Sequence, residues 1–122
     1  MNHKILLGAG LLLFISSLVA CQKEDPNTIT YDCSNLTLTY TNDIKSIIDN
    51  NCARSGCHNA SSRASGIDLS SYANVSSEAD KPRFRGAIER LDGFSSMPKG
   101  GGKLSIDNLQ KIYCWIESGK PQ

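Results

Sequence analysis

The chain has 122 residues, of which 39% are hydrophobic and 20% are charged, and its 13 lysine and arginine residues nearly balance 12 aspartate and glutamate residues. Because these charges almost cancel, the composition gives no general affinity for nucleic acid or another polyanion. The length allows one small domain with a modest core, which gains stability from a disulfide or a buried cofactor.

The first 20 residues have the pattern of a bacterial export signal. Lys4 supplies a positive charge, and the apolar stretch over residues 5–19 is shorter than the roughly 20 residues of a membrane span. It ends in Leu18-Val19-Ala20-Cys21, which resembles the lipobox of bacterial lipoproteins, whose cysteine is lipidated and becomes the new N-terminus. We therefore predict a lipoprotein signal peptide over residues 1–20 and lipidation of Cys21. The alternative is an uncleaved N-terminal anchor helix.

Export and lipidation predict where the mature protein lies. We expect a lipid anchor in a bacterial membrane, with the outer membrane favoured, and a domain that faces the periplasm or the cell surface. Residues 21–38 are predicted to be the lipidated N-terminus and tether, because the segment after Cys21 is polar, contains Pro26 and lacks periodicity. These compartments are oxidising, so thiols there are expected to be paired or otherwise committed.

The domain itself is predicted over residues 39–122, and its first helix precedes a pair of cysteines. Residues 36–40 alternate apolar side chains with threonines, which favours a short extended segment. Thr41 or Asn42 is the predicted N-cap of the helix. Three isoleucines lie on one face of it at helical spacing: Ile44, Ile47 and Ile48. The helix is predicted to end at residues 50–51.

The middle of the chain is predicted to be mostly loop with one further helix. Residues 59–77 are rich in serine and small residues, which favours a loop with a turn of helix near Tyr72. Pro82 suits the first turn of a helix that carries three apolar residues at helical spacing and ends at Asp92-Gly93. Those three residues are Phe84, Ile88 and Leu91. Its arginines, Arg83, Arg85 and Arg90, are expected to form a solvated face, or else to meet the acidic groups of a ligand or an acidic partner protein.

The last helix has the clearest pattern in the chain. Ser105 is the predicted N-cap, and Gly119 and Pro121 end the helix. Its apolar stripe consists of Ile106, Leu109, Ile112, Tyr113 and Ile116. Before it, residues 94–103 form a predicted loop that contains Met97-Pro98 and three consecutive glycines.

Cys52 and Cys57 enclose four residues, and His58 follows the second cysteine directly. This order suits covalent haem attachment, in which each thiol bonds to one haem vinyl group and the adjacent imidazole binds the iron. The usual signature has two residues between the cysteines. After loss of the signal peptide, His58 is the only histidine and Met97 the only methionine. A methionine thioether is the other common axial ligand and favours reduced iron.

The order of helix, Cys-x4-Cys-His, long loop, short helix, Met-Pro loop and terminal helix resembles a small class I mono-haem cytochrome c domain of bacterial lipoproteins. The resemblance covers about residues 39–121 and includes residues 93–98, Gly-Phe-Ser-Ser-Met-Pro, similar to the Gly-Phe-Ser-x-Met-Pro loop of such domains. It implies an all-α fold of three to four short helices around one haem. An aromatic residue of the last helix packs against the first helix in that family, and Tyr113 is the candidate here.

The same resemblance implies a site and a function. One covalent haem c would be attached at Cys52 and Cys57, with His58 and Met97 as the axial ligands of its iron. With both axial positions filled, the protein is expected to carry single electrons between redox partner proteins and not to be an enzyme. A haem enzyme such as a peroxidase, in which Met97 does not bind the iron, is the less favoured alternative.

Cysteine counting leaves two solutions open. In the first, Cys52 and Cys57 take haem, and Cys33 and Cys114 remain for a disulfide. In the second, Cys52 and Cys57 form a disulfide of their own, and the chain is a disulfide-stabilised lipoprotein that acts as a binding module without haem. Zinc is a weaker prospect, because two cysteines and one histidine leave the fourth ligand to an aspartate.

Overall fold

The computed structural model describes residues 29–122, in which helices joined by loops form the fold and no strand occurs. The predicted all-α class is confirmed for this range. The four α-helices are α1 (Lys45–Asn51), α2 (Tyr72–Ala79), α3 (Pro82–Glu89) and α4 (Ile106–Glu117). The predicted signal peptide over residues 1–20 and the lipidation site Cys21 lie outside the described residues. No helix of the described range is long and apolar enough to cross a membrane.

The first helix begins earlier than the sequence predicts. A π-helical turn, Tyr40–Ile44, leads into α1, and Thr39 caps it by accepting a hydrogen bond from the Asn42 amide at 3.3 Å. The Thr39 amide in turn donates to a carboxylate oxygen of Asp43 at 2.9 Å, so cap and first turn satisfy each other. The N-cap is therefore Thr39 and not Thr41 or Asn42 as predicted, because the π-helical turn extends the helix towards the N-terminus. The three isoleucines predicted to share a face are all buried.

A full helix, α2, occupies part of the segment predicted to be loop. Its residues include serines and an asparagine, which have modest helix propensity, so its sequence gives a weak signal. The Ser71 hydroxyl caps it at the Asn74 amide. Burial of Val75 and a hydrogen bond of 2.8 Å from the Tyr72 hydroxyl to the Lys120 carbonyl oxygen fix it in the fold. Tertiary contacts therefore decide this helix.

Helix α3 starts with Pro82 at its first turn, as predicted, and buries Phe84 and Ile88. It ends at Glu89, however, because Arg90 adopts a left-handed conformation with φ 60° and ψ 44°. The chain reverses there, and Leu91 lies 44% exposed instead of continuing the apolar face. The predicted extension of this helix to Asp92-Gly93 is therefore wrong.

Helix α4 is capped by Ser105 as predicted and passes through the core, where Leu109 and Ile112 are almost fully buried. Ile106 lies in the first turn, outside the core, and is 54% exposed, so its place in the predicted stripe is wrong. Trp115 is completely buried, and its ring centroid lies 5.9 Å from that of Tyr40.

The aromatic residue that joins the last helix to the first is thus Trp115 and not the expected Tyr113. The Trp115 indole N–H and the Tyr40 amide both donate to the Pro121 carbonyl oxygen at 2.8 Å. One backbone oxygen near the C-terminus therefore ties the first helical turn to α4. The Tyr113 ring instead packs against Tyr31, with centroids 4.8 Å apart and ring planes inclined by 34°.

Part of the predicted tether lies against α4. The sulfur atoms of Cys33 and Cys114 are 1.99 Å apart, with their Cα atoms 5.4 Å apart, which is the distance of a disulfide. The Gln110 side-chain amide donates to the Asp32 carbonyl oxygen at 2.6 Å. The segment around Tyr31, Asp32 and Cys33 is therefore fastened to the last helix.

Candidate functional site

One cavity of about 550 Å³ brings together the four candidate residues of the sequence analysis. Cys52, Cys57, His58 and Met97 all line it, although Met97 lies far from the others in sequence. Its volume is within the range of about 300–1,000 Å³ usual for ligand pockets. Apolar side chains form much of its remaining wall: Ile67, Leu69, Phe84, Ile88 and Phe94.

His58 is held from three directions. Its amide donates to the Cys52 carbonyl oxygen at 3.1 Å, and its own carbonyl oxygen accepts from the Leu69 amide at 2.7 Å. The ring nitrogen Nδ1 lies 3.2 Å from the Ile67 carbonyl oxygen. A carbonyl oxygen only accepts, so Nδ1 carries a proton, and in the neutral imidazole the lone pair is then on Nε2. This is the arrangement of histidines that bind metal through Nε2, whose other nitrogen is fixed by a backbone oxygen.

The two cysteines of the motif differ in their surroundings. Cys52 ends α1 and is buried, whereas Cys57 is exposed, and neither is bonded to another cysteine in the structure. Burial, with a smaller contribution from the neighbouring Cys57, raises the pKa of the Cys52 thiol from 9.0 to about 11. Cys52 therefore stays protonated at neutral pH. Gly56 is the last of the four residues between the cysteines, and its φ of 76° is a left-handed conformation that glycine adopts without strain.

The loop that carries Met97 is fastened to α3 at several points. The Met97 amide donates to the Ala87 carbonyl oxygen at 3.0 Å, and the Arg90 guanidinium donates to the Gly101 carbonyl oxygen at 2.6 Å. The Phe94 ring lies directly over Gly86, where an added Cβ would come within 2.4 Å of the ring. The absence of a side chain at Gly86 thus lets the loop approach the helix.

The three arginines in and directly after α3 do not form one solvated face. Arg83 makes a two-oxygen ion pair with Glu78 at the cavity wall, with a shortest distance of 2.8 Å. Arg85 pairs with the buried Glu89 at 3.1 Å, and Arg90 holds the Met97 loop. The expectation of a shared face is therefore wrong, because the left-handed turn after α3 and two separate carboxylates send the three side chains to different partners.

Sequence reasoning missed three contributors to this site. The Ile67 carbonyl oxygen orients His58 through its backbone, for which no side-chain pattern exists. Gly86 acts by lacking a side chain, and its contact with Phe94 joins segments whose relation the sequence does not reveal. Arg90 had a signal in its charge, but its role depends on a backbone conformation that arginine rarely adopts.

Charge is distributed unevenly along the cavity lining. Three cationic residues, Arg54, Arg83 and Lys99, line the cavity, against one carboxylate, Glu78. Burial raises the pKa of Glu78, but hydrogen bonds and charge from Lys81 and Arg83 outweigh this and hold the pKa below its usual 4.5. The lining is therefore largely apolar, with more cationic than anionic side chains.

Across residues 29–122, no three histidine, cysteine, aspartate or glutamate side chains are grouped so that they could hold a metal ion by themselves. Any metal in this cavity would need a ligand of another kind, and Met97 is on its wall. Comparisons of the chain with family profiles, with curated proteins and with solved structures find no match.

Proposed function

We propose that this protein is a lipid-anchored c-type cytochrome that carries single electrons. One haem c would be attached by thioether bonds to Cys52 and Cys57, with His58 and Met97 as axial ligands of the iron. The observation that carries this proposal is the convergence of all four residues on one cavity. The free state of Cys52 and Cys57 supports it further, since Cys33 and Cys114 pair with each other.

The chemistry of the donors fits a haem. Two thiols are uncommitted, one imidazole is oriented by a hydrogen bond from Nδ1, which leaves Nε2 for the iron, and one thioether lies in a loop held by hydrogen bonds. A bound haem would supply a one-electron couple between ferrous and ferric iron. The protein would set its potential through the ligands and through burial.

The chain's own residues have identifiable tasks in this function. The Ile67 carbonyl oxygen holds the imidazole in one orientation and raises its basicity. With haem bound, the thioether of Met97 would favour the reduced state, and the apolar wall would keep water away from the iron, which would favour the less charged state as well. With both axial positions filled, no position remains for oxygen or peroxide, so electron transfer is the expected task.

The first test is a pyridine haemochrome spectrum of the full chain expressed with c-type haem maturation machinery. We expect covalent haem with two thioether bonds. Cys52→Ala and Cys57→Ala should each change the spectrum to that of one thioether bond or abolish attachment. The matched control is the pair Cys33→Ala/Cys114→Ala, which should keep the haem. A purified chain that carries no haem and in which Cys52 and Cys57 form a disulfide would refute the proposal and favour the disulfide-stabilised binding module.

The anchor and its location are part of the same proposal. Cys21 would carry the lipid, and the domain would face the periplasm or the cell surface, where redox partner proteins exchange electrons with it. Membrane fractionation of the wild type and of Cys21→Ser tests this. We expect the wild type with the outer membrane and the variant either soluble in the periplasm or retained as an uncleaved precursor. A wild type that fractionates as soluble protein would refute the anchor.

A further inference from the structure

Arg90 occupies a backbone position at the end of α3 that usually belongs to glycine. The Leu91 amide donates to the Gly86 carbonyl oxygen at 2.9 Å, and the Arg90 amide donates to the Ala87 carbonyl oxygen at 3.3 Å. This pair of hydrogen bonds is the closing turn of the Schellman type, whose left-handed residue is commonly glycine. An L side chain is strained at φ 60°. An arginine at this position therefore calls for a compensating contact.

The guanidinium group makes that contact with the Met97 loop. Its Nη2 lies 2.6 Å from the Gly101 carbonyl oxygen and 3.5 Å from that of Pro98. The Nε–H is buried and has no acceptor among residues 29–122, an additional disadvantage of this side chain. Hydrogen bonds from a charged donor are among the stronger ones in proteins. The guanidinium hydrogen bonds to the loop are the contacts that can offset the strained backbone of Arg90 and its unpaired Nε–H.

Met97 lies between two points at which its loop is tied to the end of α3. Before its side chain, the Met97 amide is bound to the Ala87 carbonyl oxygen. After it, Arg90 reaches the backbone at Pro98 and Gly101. Ala87 also accepts from the Arg90 amide, so the strained turn and the methionine share one backbone oxygen. With Arg90 in the left-handed conformation, its guanidinium reaches the loop and adds the second point of attachment, at Pro98 and Gly101.

We propose that Arg90 is the positioning residue for Met97, and that its guanidinium keeps the thioether at the iron. This inference rests on the proposed function. Without the guanidinium, the loop keeps only the amide bond to Ala87 and the Phe94 contact, so Met97 leaves the iron for part of the time. Covalent haem attachment, which depends on Cys52 and Cys57, is unaffected.

Three variants separate the guanidinium from the backbone strain. Arg90→Ala removes the side-chain bonds and keeps the strained turn, whereas Arg90→Gly removes both. Arg63→Gly is the matched control, because Arg63 is also left-handed, at φ 41°, and its Nε donates to the Ala60 carbonyl oxygen, away from the Met97 loop. Each holoprotein is measured for covalent haem, for the charge-transfer absorption of the ferric iron–methionine bond, for the reduction potential, and for the Met97 amide exchange rate.

We expect all variants to keep covalent haem. Both Arg90 variants should lose part of the iron–methionine absorption and show a lowered potential. Their Met97 amide should exchange about 10-fold faster or more, the factor corresponding to one lost charge-assisted hydrogen bond. Arg63→Gly should match the wild type in all four measurements.

Two results would overturn the inference while leaving the proposed function intact. One is wild-type absorption and potential in both Arg90 variants, which would make the guanidinium unnecessary. The other is a loss confined to Arg90→Ala, which would assign the effect to backbone strain. A wild-type chain that carries no covalent haem is a different result, since it refutes the proposed function and the role of Arg90 together.

Discussion

The Cys33–Cys114 disulfide should supply a large part of the stability of this domain. It joins cysteines that are 81 residues apart, so its removal frees a long loop in the unfolded chain. The loop-entropy relation gives about 4.5 kcal/mol for a loop of this length at 25 °C. A domain of this size has a total unfolding free energy of about 5–14 kcal/mol. We therefore expect Cys33→Ala/Cys114→Ala to be folded but to have a much smaller free energy of unfolding.

The measurement is denaturant unfolding of the wild type and the double variant as holoproteins, followed by circular dichroism and by haem absorption. We expect the unfolding free energy to fall by about 3–5 kcal/mol, with unchanged haem content and an unchanged iron–methionine absorption. Alanine at both positions avoids a leftover thiol that could compete for haem. A decrease below about 1 kcal/mol would refute the loop-entropy reasoning. Loss of haem would instead refute the assignment of the cysteines.

Three further expectations concern the cavity and its wall. Met97→Ala should lower the haem potential by about 0.1 V or more, because axial ligands tune haem over about 0.8 V, and should let carbon monoxide bind; an unchanged spectrum would exclude Met97 as a ligand. Gly86→Ala places a Cβ 2.4 Å from the Phe94 ring, so the ring must move, and denaturant unfolding should show a loss of about 1–3 kcal/mol; wild-type stability would contradict this contact. Glu78 has a pKa below its usual 4.5 in the folded state, so the stability it contributes is present above pH 4.5 and is lost as the pH falls through the folded-state pKa. Glu78→Gln should therefore reduce the loss of stability between pH 6 and pH 3, and an unchanged difference would show that other carboxylates govern the acid limb.

Much of the helical framework could be predicted, because helical periodicity reports burial directly. The isoleucines before Cys52 lie on one buried face, and Ser105 caps the last helix as predicted. The four predicted site residues belong to local motifs, Cys-x4-Cys-His and Met-Pro, whose chemistry can be recognised without knowing the fold. Their meeting in one cavity required the structure.

The errors have a common physical origin, which is that tertiary contacts decide where local preferences are weak or conflicting. Helix α2 has modest intrinsic propensity and forms because Val75 is buried and Tyr72 is bonded to the C-terminal segment. Tyr113 and Trp115 are both plausible partners for the first helix, and only the rotation of α4 in the core distinguishes them. Arg90 ends α3 against its own backbone preference, which no propensity would predict.

Helix α3 presents one face to the cavity and another face to Tyr113 of α4, the residue before the disulfide-bonded Cys114. Phe84, Ala87 and Ile88 line the cavity. On another face, Arg85 pairs with Glu89 and lies 4.5 Å from the centroid of the Tyr113 ring, which in turn packs on Tyr31.

The contacts that position Met97 are therefore made at the end of α3, by the Ala87 carbonyl oxygen and the Arg90 side chain, whereas the N-terminal segment is fastened to α4 by the Cys33–Cys114 disulfide. Loss of the bridge should release the segment around Tyr31 and lower the unfolding free energy. It leaves the hydrogen bonds of Ala87 and Arg90 to the Met97 loop in place. Global stability and iron ligation should thus respond to different substitutions in the same small domain, and the cysteine and Arg90 variants measure the two independently.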